Sequence, residues 1–431
     1  MIIDSGNPME FQPPAAIQPA RDALLQAHLA HCLARSPFYR RKLAGVRPEE
    51  ITVDAIGQLP TTSKAEFAEF NAEFLAVPPE QIADIVFTSG TTGEPTPVMY
   101  TSGDMERLAF NEALSFASCG VTSADTALLT CTLDRCFVAG MAYYLGLRHL
   151  GAAVLRNGLG SLESHADVIR RMRPTLVVGV PTFLRRLGQH LEAKGFAPDR
   201  MGVRTLVCIG EPLRDASLAP LPVATDIERL WGAPVHSTYA SSEVVTSFCE
   251  CTARRGGHLH PELCVVEILG DDGRPVPAGM IGEVTLTPLG LEGMPLVRFR
   301  TGDVSFLIDE PCSCGRLSPR LGPIIGRRNQ LMKVNGTSLY PQAVQTALDL
   351  IPGLGEYYLV AGSQDTLSDS ITIHASVRDS SLTVAAIMQM LQARLRVKPN
   401  VVIEPEAEIL KQVFSAHSRK PIRFIDRREN Q

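Results

Sequence analysis

The segment Thr88-Ser-Gly-Thr-Thr-Gly-Glu-Pro95 combines small hydroxylated residues with glycines. Glycines let a backbone approach a ligand closely, and successive N–H groups in such a loop form a concavity that suits anions. The hydroxyls of Ser89, Thr91 and Thr92 add donors for phosphate oxygens, so Thr88, Ser89, Gly90, Thr91, Thr92 and Gly93 read as a phosphate-binding loop. No Gly-Lys-Ser/Thr follows, so it is not a Walker loop. Two Cys-x-Cys pairs, Cys249/Cys251 and Cys312/Cys314, form a second group. Cys251, His258, Cys312 and Cys314 together offer three sulfurs and one imidazole nitrogen, a donor set suited to tetrahedral Zn²⁺. His260 and Cys249 are competing ligands. Near the C-terminus, His417-Ser-Arg-Lys420-Pro-Ile-Arg is basic, which by itself reads as a solvated segment.

Four further segments give these groups a context: Cys208-Ile-Gly-Glu-Pro212, Tyr239-Ala-Ser-Ser-Glu243, Arg298-Phe-Arg-Thr-Gly-Asp303 and Gly326-Arg-Arg-Asn-Gln-Leu-Met-Lys-Val-Asn-Gly336. With the hydroxyl-rich loop they resemble, in order and spacing, the core motifs of the adenylate-forming superfamily of acyl-CoA synthetases, adenylation domains and luciferases. Within it the chain is more closely similar to phenylacetate-CoA ligases, whose N-terminal signature resembles Ser36-Pro-Phe-Tyr-Arg-Arg-Lys42 and Leu59-Pro-Thr-Thr-Ser-Lys64. The resemblance runs from about Ser36 to Arg427.

That resemblance implies ATP-dependent activation of a small aromatic carboxylic acid to an acyl-adenylate, then transfer to coenzyme A. A carrier-protein phosphopantetheine or an amine is the alternative acceptor, and a non-catalytic nucleotide- or acyl-binding protein is a third reading. It also implies roles for residues. Tyr239 would lie against adenine, with Glu211 and Pro212 as the opposite wall. Ser242 would donate to the α-phosphate and Glu243 would hold Mg²⁺. Asp303 would accept from the ribose hydroxyls, with Arg327 fixing that end. Lys420 would be the catalytic cation, stabilising charge that develops as the adenylate forms. The acid pocket would draw on Phe137, Gly140, Met141, Ile209, Gly210 and Ala240. Asn329 would be the hinge about which a small domain turns, and residues from Lys333 to Gly336 would line the pantetheine tunnel. Relatives carry a similar Cys…His…Cys-x-Cys arrangement, which supports zinc. Relatives also usually carry a lysine in or after the phosphate loop, where this chain has Gly93-Glu94-Pro95-Thr96-Pro97, and an aspartate where it has Asn329.

The elements that must position these groups follow from periodicity. Strand–helix alternation is expected from Asp84 to Ile209, with helices over Thr101–Ser118, Ala139–Leu150, Ser161–Met172 and Pro181–Lys194. Beyond Glu243, strand-like segments separated by DDG and PAG turns predict a β-rich subdomain. The fold class is therefore α/β: a large N-terminal domain (1–328) of parallel-sheet α/β subdomains plus that β-rich part, and a small mobile α+β C-terminal domain (329–431). A length of 431 residues fits two domains, and 45% hydrophobic with 20% charged residues excludes a disordered chain. A net charge of −5 gives no nucleic-acid surface. The N-terminus lacks a basic start followed by an apolar run, so a cytoplasmic protein is expected, without membrane segments and with a homodimer as a possible assembly. Cys32, Cys119, Cys131, Cys136, Cys208 and Cys264 read as small core residues.

Overall fold

The computed structural model describes residues 8–88, 95–334, 337–363, 368–414 and 421–428. A six-stranded sheet dominates the N-terminal part. Its order is Ala153–Arg156, Thr126–Leu129, Leu176–Gly179, Thr205–Ile209, Val235–Ser241 and Thr246–Cys249, and all neighbours are parallel except the last pair. Parallel pairing needs crossovers, and the helices Ala139–Leu150, Leu162–Met172, Pro181–Ala193 and Pro222–Trp231 supply them. The central strand Leu176–Gly179 is a continuous apolar run because both of its faces are covered: Leu176, Val177 and Val178 are fully enclosed. The chain enters at Thr126–Leu129, steps outward one way, then returns the other way, so the sheet has a topological switch point beside its first strand. Ligands of such sheets sit at the carboxyl ends of the strands near that point.

A four-stranded antiparallel sheet follows, ordered Cys264–Leu269, Gly282–Pro288, Phe299–Ser305 and Gly326–Arg327. Its core merges with the N-terminal helix Pro14–Arg35 and with Phe38, Tyr39, Phe67 and Phe74. Residues from Met332 onward enclose a separate core around Leu348, Leu359, Ile373 and Leu391. There the sheet order is Asn400–Ile403, Asp369–Val377, Leu354–Ser363 and Phe424–Asp426.

The first helix begins at Pro14 and carries Pro19 inside it, and Pro37 opens a second helix, Pro37–Lys42, capped by Ser36. Cys136 is exposed: it sits with Arg135 at positive φ in the loop before Ala139–Leu150, so it is not a core residue. No helix among the described residues is long and apolar enough to cross a membrane.

Candidate functional site

The carboxyl ends of four parallel strands converge on one cavity of about 430 Å³, within the usual range for ligand pockets of roughly 300–1,000 Å³. Cys131 and Thr132 follow the first strand, Val180 the second and Gly210 the third, while Ala240, Ser241 and Ser242 end the fourth. Of the residues expected to hold an acid, Phe137, Ile209, Gly210 and Ala240 line this cavity. Gly140 and Met141 are not among its lining residues, and Val138, Ala139 and Ala142 of the same stretch are. Gly140 instead packs on the Thr132 carbonyl so closely that a Cβ would lie 2.1 Å from its oxygen.

The expected nucleotide residues gather at the mouth. Val235–Ser241 and Thr246–Cys249 form an antiparallel hairpin in which Tyr239 faces Phe248, and its connection carries Ser242 and Glu243. The Tyr239 and Phe248 rings are parallel within 15°, with centroids 6.4 Å apart. The Tyr239 hydroxyl donates to Asp303 Oδ2 (2.9 Å), and Arg327 Nε donates to Oδ1 (3.2 Å). Asp303 and Arg327 are register partners on adjacent strands, which places the two side chains together. Burial, with the Asp303 charge next, pushes the Tyr239 phenol well above its ordinary range. Tyr100 donates to the Ser242 carbonyl (2.7 Å), fixing the hairpin connection.

Glu211 has a structural partner besides any ligand. Its Oε2 accepts from the N–H and hydroxyl of Thr182 at 3.1 and 2.7 Å, so the carboxylate caps the helix Pro181–Ala193, where the positive end of the helix favours it. Pro212 follows it, half-buried.

Lys64 was read only as the end of a signature string, and the structure brings it to Glu243. Thr62 pairs with the strand of Asp303 through Thr62 N–H to Arg298 O (3.0 Å) and Arg300 N–H to Thr62 O (2.8 Å). Ser63 and Glu66 then form a capping box that starts the helix Lys64–Glu69. The Lys64 ammonium ends 3.4 Å from Glu243 Oε1, while the Ser241 hydroxyl donates to Glu243 Oε2. Periodicity could not find this pairing, because it depends on a sheet contact between residues far apart in sequence.

Thr88 closes the neck of the hydroxyl-rich loop: its N–H donates to Thr96 O (3.0 Å) and its hydroxyl accepts from Thr96 N–H (3.1 Å). Ser89, Gly90, Thr91, Thr92, Gly93 and Lys420 lie outside the described residues, as do Asn335 and Gly336. Asn329 lies in a short 3₁₀ turn, Arg328–Gln330, and does not adopt positive φ. Lys333 is exposed on the strand Met332–Val334.

The structure also gathers Cys251, His258, Cys312 and Cys314, whose donor atoms all lie within 4.8 Å of one another. Cys251 and Cys312 sulfurs are 3.6 Å apart, and Cys314 Sγ is 3.3 Å from His258 Nε2. Tetrahedral zinc with bonds of about 2.3 Å to sulfur needs S···S edges of about 3.8 Å, so the spacing fits that ion. His258 Nδ1 lies 3.2 Å from both the carbonyl and hydroxyl oxygens of Ser318, a contact that leaves Nε2 toward the sulfurs. Burial, with Arg316 next, holds the imidazole neutral by lowering its pKa to about 4. The competing candidates sit elsewhere. His260 Nε2 is 3.3 Å from Ser115 Oγ, with Glu10 Oε2 3.4 Å from its Nδ1, and Cys249 is buried against Cys119.

Comparison with known proteins agrees with this geometry. A family model described as AMP-binding enzyme matches residues 22–288. Phenylacetate-coenzyme A ligase of Thermus thermophilus is 28% identical over 379 residues, covering 86% of this chain and 84% of that protein. The enzyme of the same name from Escherichia coli K12 is 27% identical over 420 residues, covering 94% and 93%. Among solved structures, 2-hydroxyisobutyryl-CoA ligase in its postadenylation state, with R3-HIB-AMP, superposes with a TM-score of 0.85 at 22% identity, covering 99% of this chain and 94% of that one. The same ligase in its thioesterification state, with 2-HIB-AMP and CoA, gives 0.71 at 23% identity, covering 97% and 91%. The chain belongs to the AMP-binding enzyme family and is a phenylacetate-coenzyme A ligase-like, adenylate-forming acid–CoA ligase.

Proposed function

We propose that this chain activates a small aromatic carboxylic acid with ATP and passes the acyl group to coenzyme A. The observation that carries the reading is the apolar cavity, whose wall residues Ala240, Ser241 and Ser242 are the chain neighbours of Tyr239 and Glu243. An acid seated there presents its carboxylate to the nucleotide residues at the mouth. A carboxylate oxygen attacks the α-phosphorus of ATP, the α–β bond breaks and pyrophosphate leaves. The thiol of coenzyme A, losing its proton to solvent, then attacks the acyl carbon and AMP leaves.

In this reading Tyr239 supplies the face for adenine and Asp303 accepts from the ribose hydroxyls, held in place by Arg327. The phosphate loop, Thr88 to Gly93, cradles the triphosphate. Mg²⁺ held by Glu243 would neutralise charge on the phosphates. Lys64, adjacent to Glu243, offers a cation to the phosphates in a chain whose loop lacks the usual lysine. Lys420 stabilises the charge on the reacting oxygens. Residues 1–328 form the large domain, and residues 329–431 form a smaller one that turns about Asn329 between the two half-reactions. Zinc held by Cys251, His258, Cys312 and Cys314 is structural, since four protein donors leave no open position. All ten cysteines are unbridged, which fits a reducing, cytoplasmic setting.

ATP–pyrophosphate exchange over a panel of aryl and short alkyl acids tests the reading. Exchange is expected with at least one aromatic acid, reduced about 100-fold or more in Lys420→Ala. Equal exchange by that variant removes Lys420 from the reaction. Product analysis with coenzyme A, a phosphopantetheinylated carrier or an amine then identifies the acceptor.

A further inference from the structure

The proposed acid cavity contains a carboxyl group at its buried end. Glu112, on the helix Ser102–Ser118, lines it one turn beyond Leu108 and is only 3% exposed. Tyr143 and Ala142, on the helix Ala139–Leu150, line the same end and are equally enclosed, whereas Phe137, Gly210 and Ala240 at the mouth are exposed. The two helices meet where Gly146 approaches Glu112: a Cβ on Gly146 would lie 2.2 Å from the Glu112 Cβ. The stem of Glu112 is therefore held in one place by backbone contact.

Burying a carboxyl without a cation costs stability, so an acid at such a position calls for a reason. Among the described residues no lysine or arginine forms an ion pair with Glu112. The Ser247 hydroxyl is near enough to lower its pKa against the effect of burial, but that hydroxyl lies 3.1 Å from Ser115 Oγ. Burial raises the carboxyl to about 7, so near neutrality it exists in both protonation forms. Thr238 Oγ1 is a second polar atom in the wall, buried and without a partner among the described residues. The remaining wall is mostly apolar, with Leu108, Val138, Ala142, Val180 and Ile209. An unsubstituted aryl ring would satisfy that apolar wall and leave Glu112 with nothing to bind.

We propose that Glu112 determines specificity by accepting a hydrogen bond from a hydroxyl or amino group on the ring of the acid, remote from its carboxylate. The inference rests on the reading of this cavity as the acid site, and it narrows the substrate class to hydroxy- or amino-substituted aromatic acids. A site built to pair with such a donor discriminates strongly against analogues that lack it, because the buried acceptor is then left unpaired.

The experiment is ATP–pyrophosphate exchange, read as kcat/KM, on matched benzoic, phenylacetic and cinnamic acids. Each bears hydroxyl, amino, methyl, fluorine or hydrogen at each ring position. The parent is expected to prefer a donor-bearing acid at least tenfold over its methyl and fluoro counterparts at one ring position. Glu112→Leu is expected to lower kcat/KM for that acid at least tenfold and raise it for the methyl counterpart, while Glu112→Gln, which keeps an acceptor oxygen, retains the parent's order. Exchange by the parent that is indifferent to the donor overturns the inference, as does an unchanged ratio in Glu112→Leu. Should Glu112→Leu fail to fold, the parent's own ratio decides between the two outcomes. Exchange without donor preference sinks this inference alone. Absence of exchange with every acid sinks the acid-activation reading and this one together.

Discussion

A buried carboxyl such as Glu112 leaves a signature in stability as well as in binding. Its pKa is raised from 4.5 to about 7 by burial, against a lowering contribution from Ser247. Between those values the folded chain holds a proton that the unfolded chain has released, so stability falls as pH rises through that window and levels off above it. The loss amounts to about 3 kcal/mol at most. Glu112→Gln removes the titration, so its stability relative to the parent should improve from pH 5 to pH 8. Denaturant melts at both pH values check this, and a constant difference would mean that the carboxyl is not buried as described. A second residue-scale prediction concerns Arg214 and Glu250, a pair only 8% and 3% exposed with N···O of 2.6 Å. Glu250 also accepts from Ser237 N–H at 3.0 Å, tying the pair to the sheet. Arg214→Ala leaves that charge uncompensated and should cost about 3–5 kcal/mol in urea unfolding. The motif residues were legible because short strings carry them. Glu112 was partly legible: Leu108, Glu112 and Phe116 share a face at helical spacing, an acid amid an apolar stripe. That this face meets a cavity rather than a cation depends on Tyr143, Val180 and Ala240, which no local pattern brings together.

Elements hold these side chains through contacts that are local in some places and remote in others. The helix Ala139–Leu150 matches the sequence reading residue for residue, since clean periodicity and the flanking Gly151 mark it. The helix Pro222–Trp231 was hidden in a proline-rich stretch, because Pro222 occupies the first helical position, where its missing N–H costs nothing. The strand Leu354–Ser363 was hidden by Pro352, Gly353 and Gly355, which read as a turn. Its register also shifts between Leu354 and Tyr357, which breaks the alternation. Gly355 packs closely on Ser376 there, since a Cβ would meet Ser376 Oγ at 2.2 Å and displace it. At the contact of Ser102–Ser118 with Ala139–Leu150, Gly146→Ala must push the helices apart and should destabilise by about 1–3 kcal/mol while weakening acid binding. The cluster of Cys251, His258, Cys312 and Cys314 acts at the scale of elements too. Zinc bound there would clip the loop after Thr246–Cys249 to the one carrying Cys312 and Cys314. Elemental analysis should find about one zinc per chain, absent in Cys312→Ser. Chelation should lower the melting temperature by about 5 °C or more, as expected when a ligand that binds only the folded state is lost. Metal-free protein with an unchanged melting temperature would end the zinc proposal.

Across the whole molecule the proposed turning of residues 329–431 is a question of which contacts hold the present arrangement. Arg428 ties the smaller unit to its own first residues: its guanidinium donates to Leu331 O (2.7 Å) and Asn329 O (3.1 Å) and pairs with Asp369 (3.2 Å), so this set turns with residues 329–431. Tyr340 lies against Gly326, where a Cβ would fall 2.3 Å from its ring. Arg328 faces Asp271 and Glu283, each at 3.4 Å. The Arg328 pairs lie within residues 1–328, so of these contacts the Tyr340 packing on Gly326 is the one that crosses the boundary. Asn329 sits in a 3₁₀ turn without positive φ, and proline fixes φ near −65°, so a pivot that swings φ at that position is closed to proline. Asn329→Pro should therefore leave ATP–pyrophosphate exchange within about threefold of the parent, since that half-reaction needs no rotation from the arrangement that performs it. Thioester formation with coenzyme A should fall by about 50-fold or more, at the level expected when a committed conformational step is blocked. Single-turnover assays that follow acyl-adenylate and thioester separately distinguish the two. If both half-reactions survive, the pivot lies elsewhere; if both fail while the protein remains folded, residue 329 serves adenylation directly and the hinge assignment is wrong.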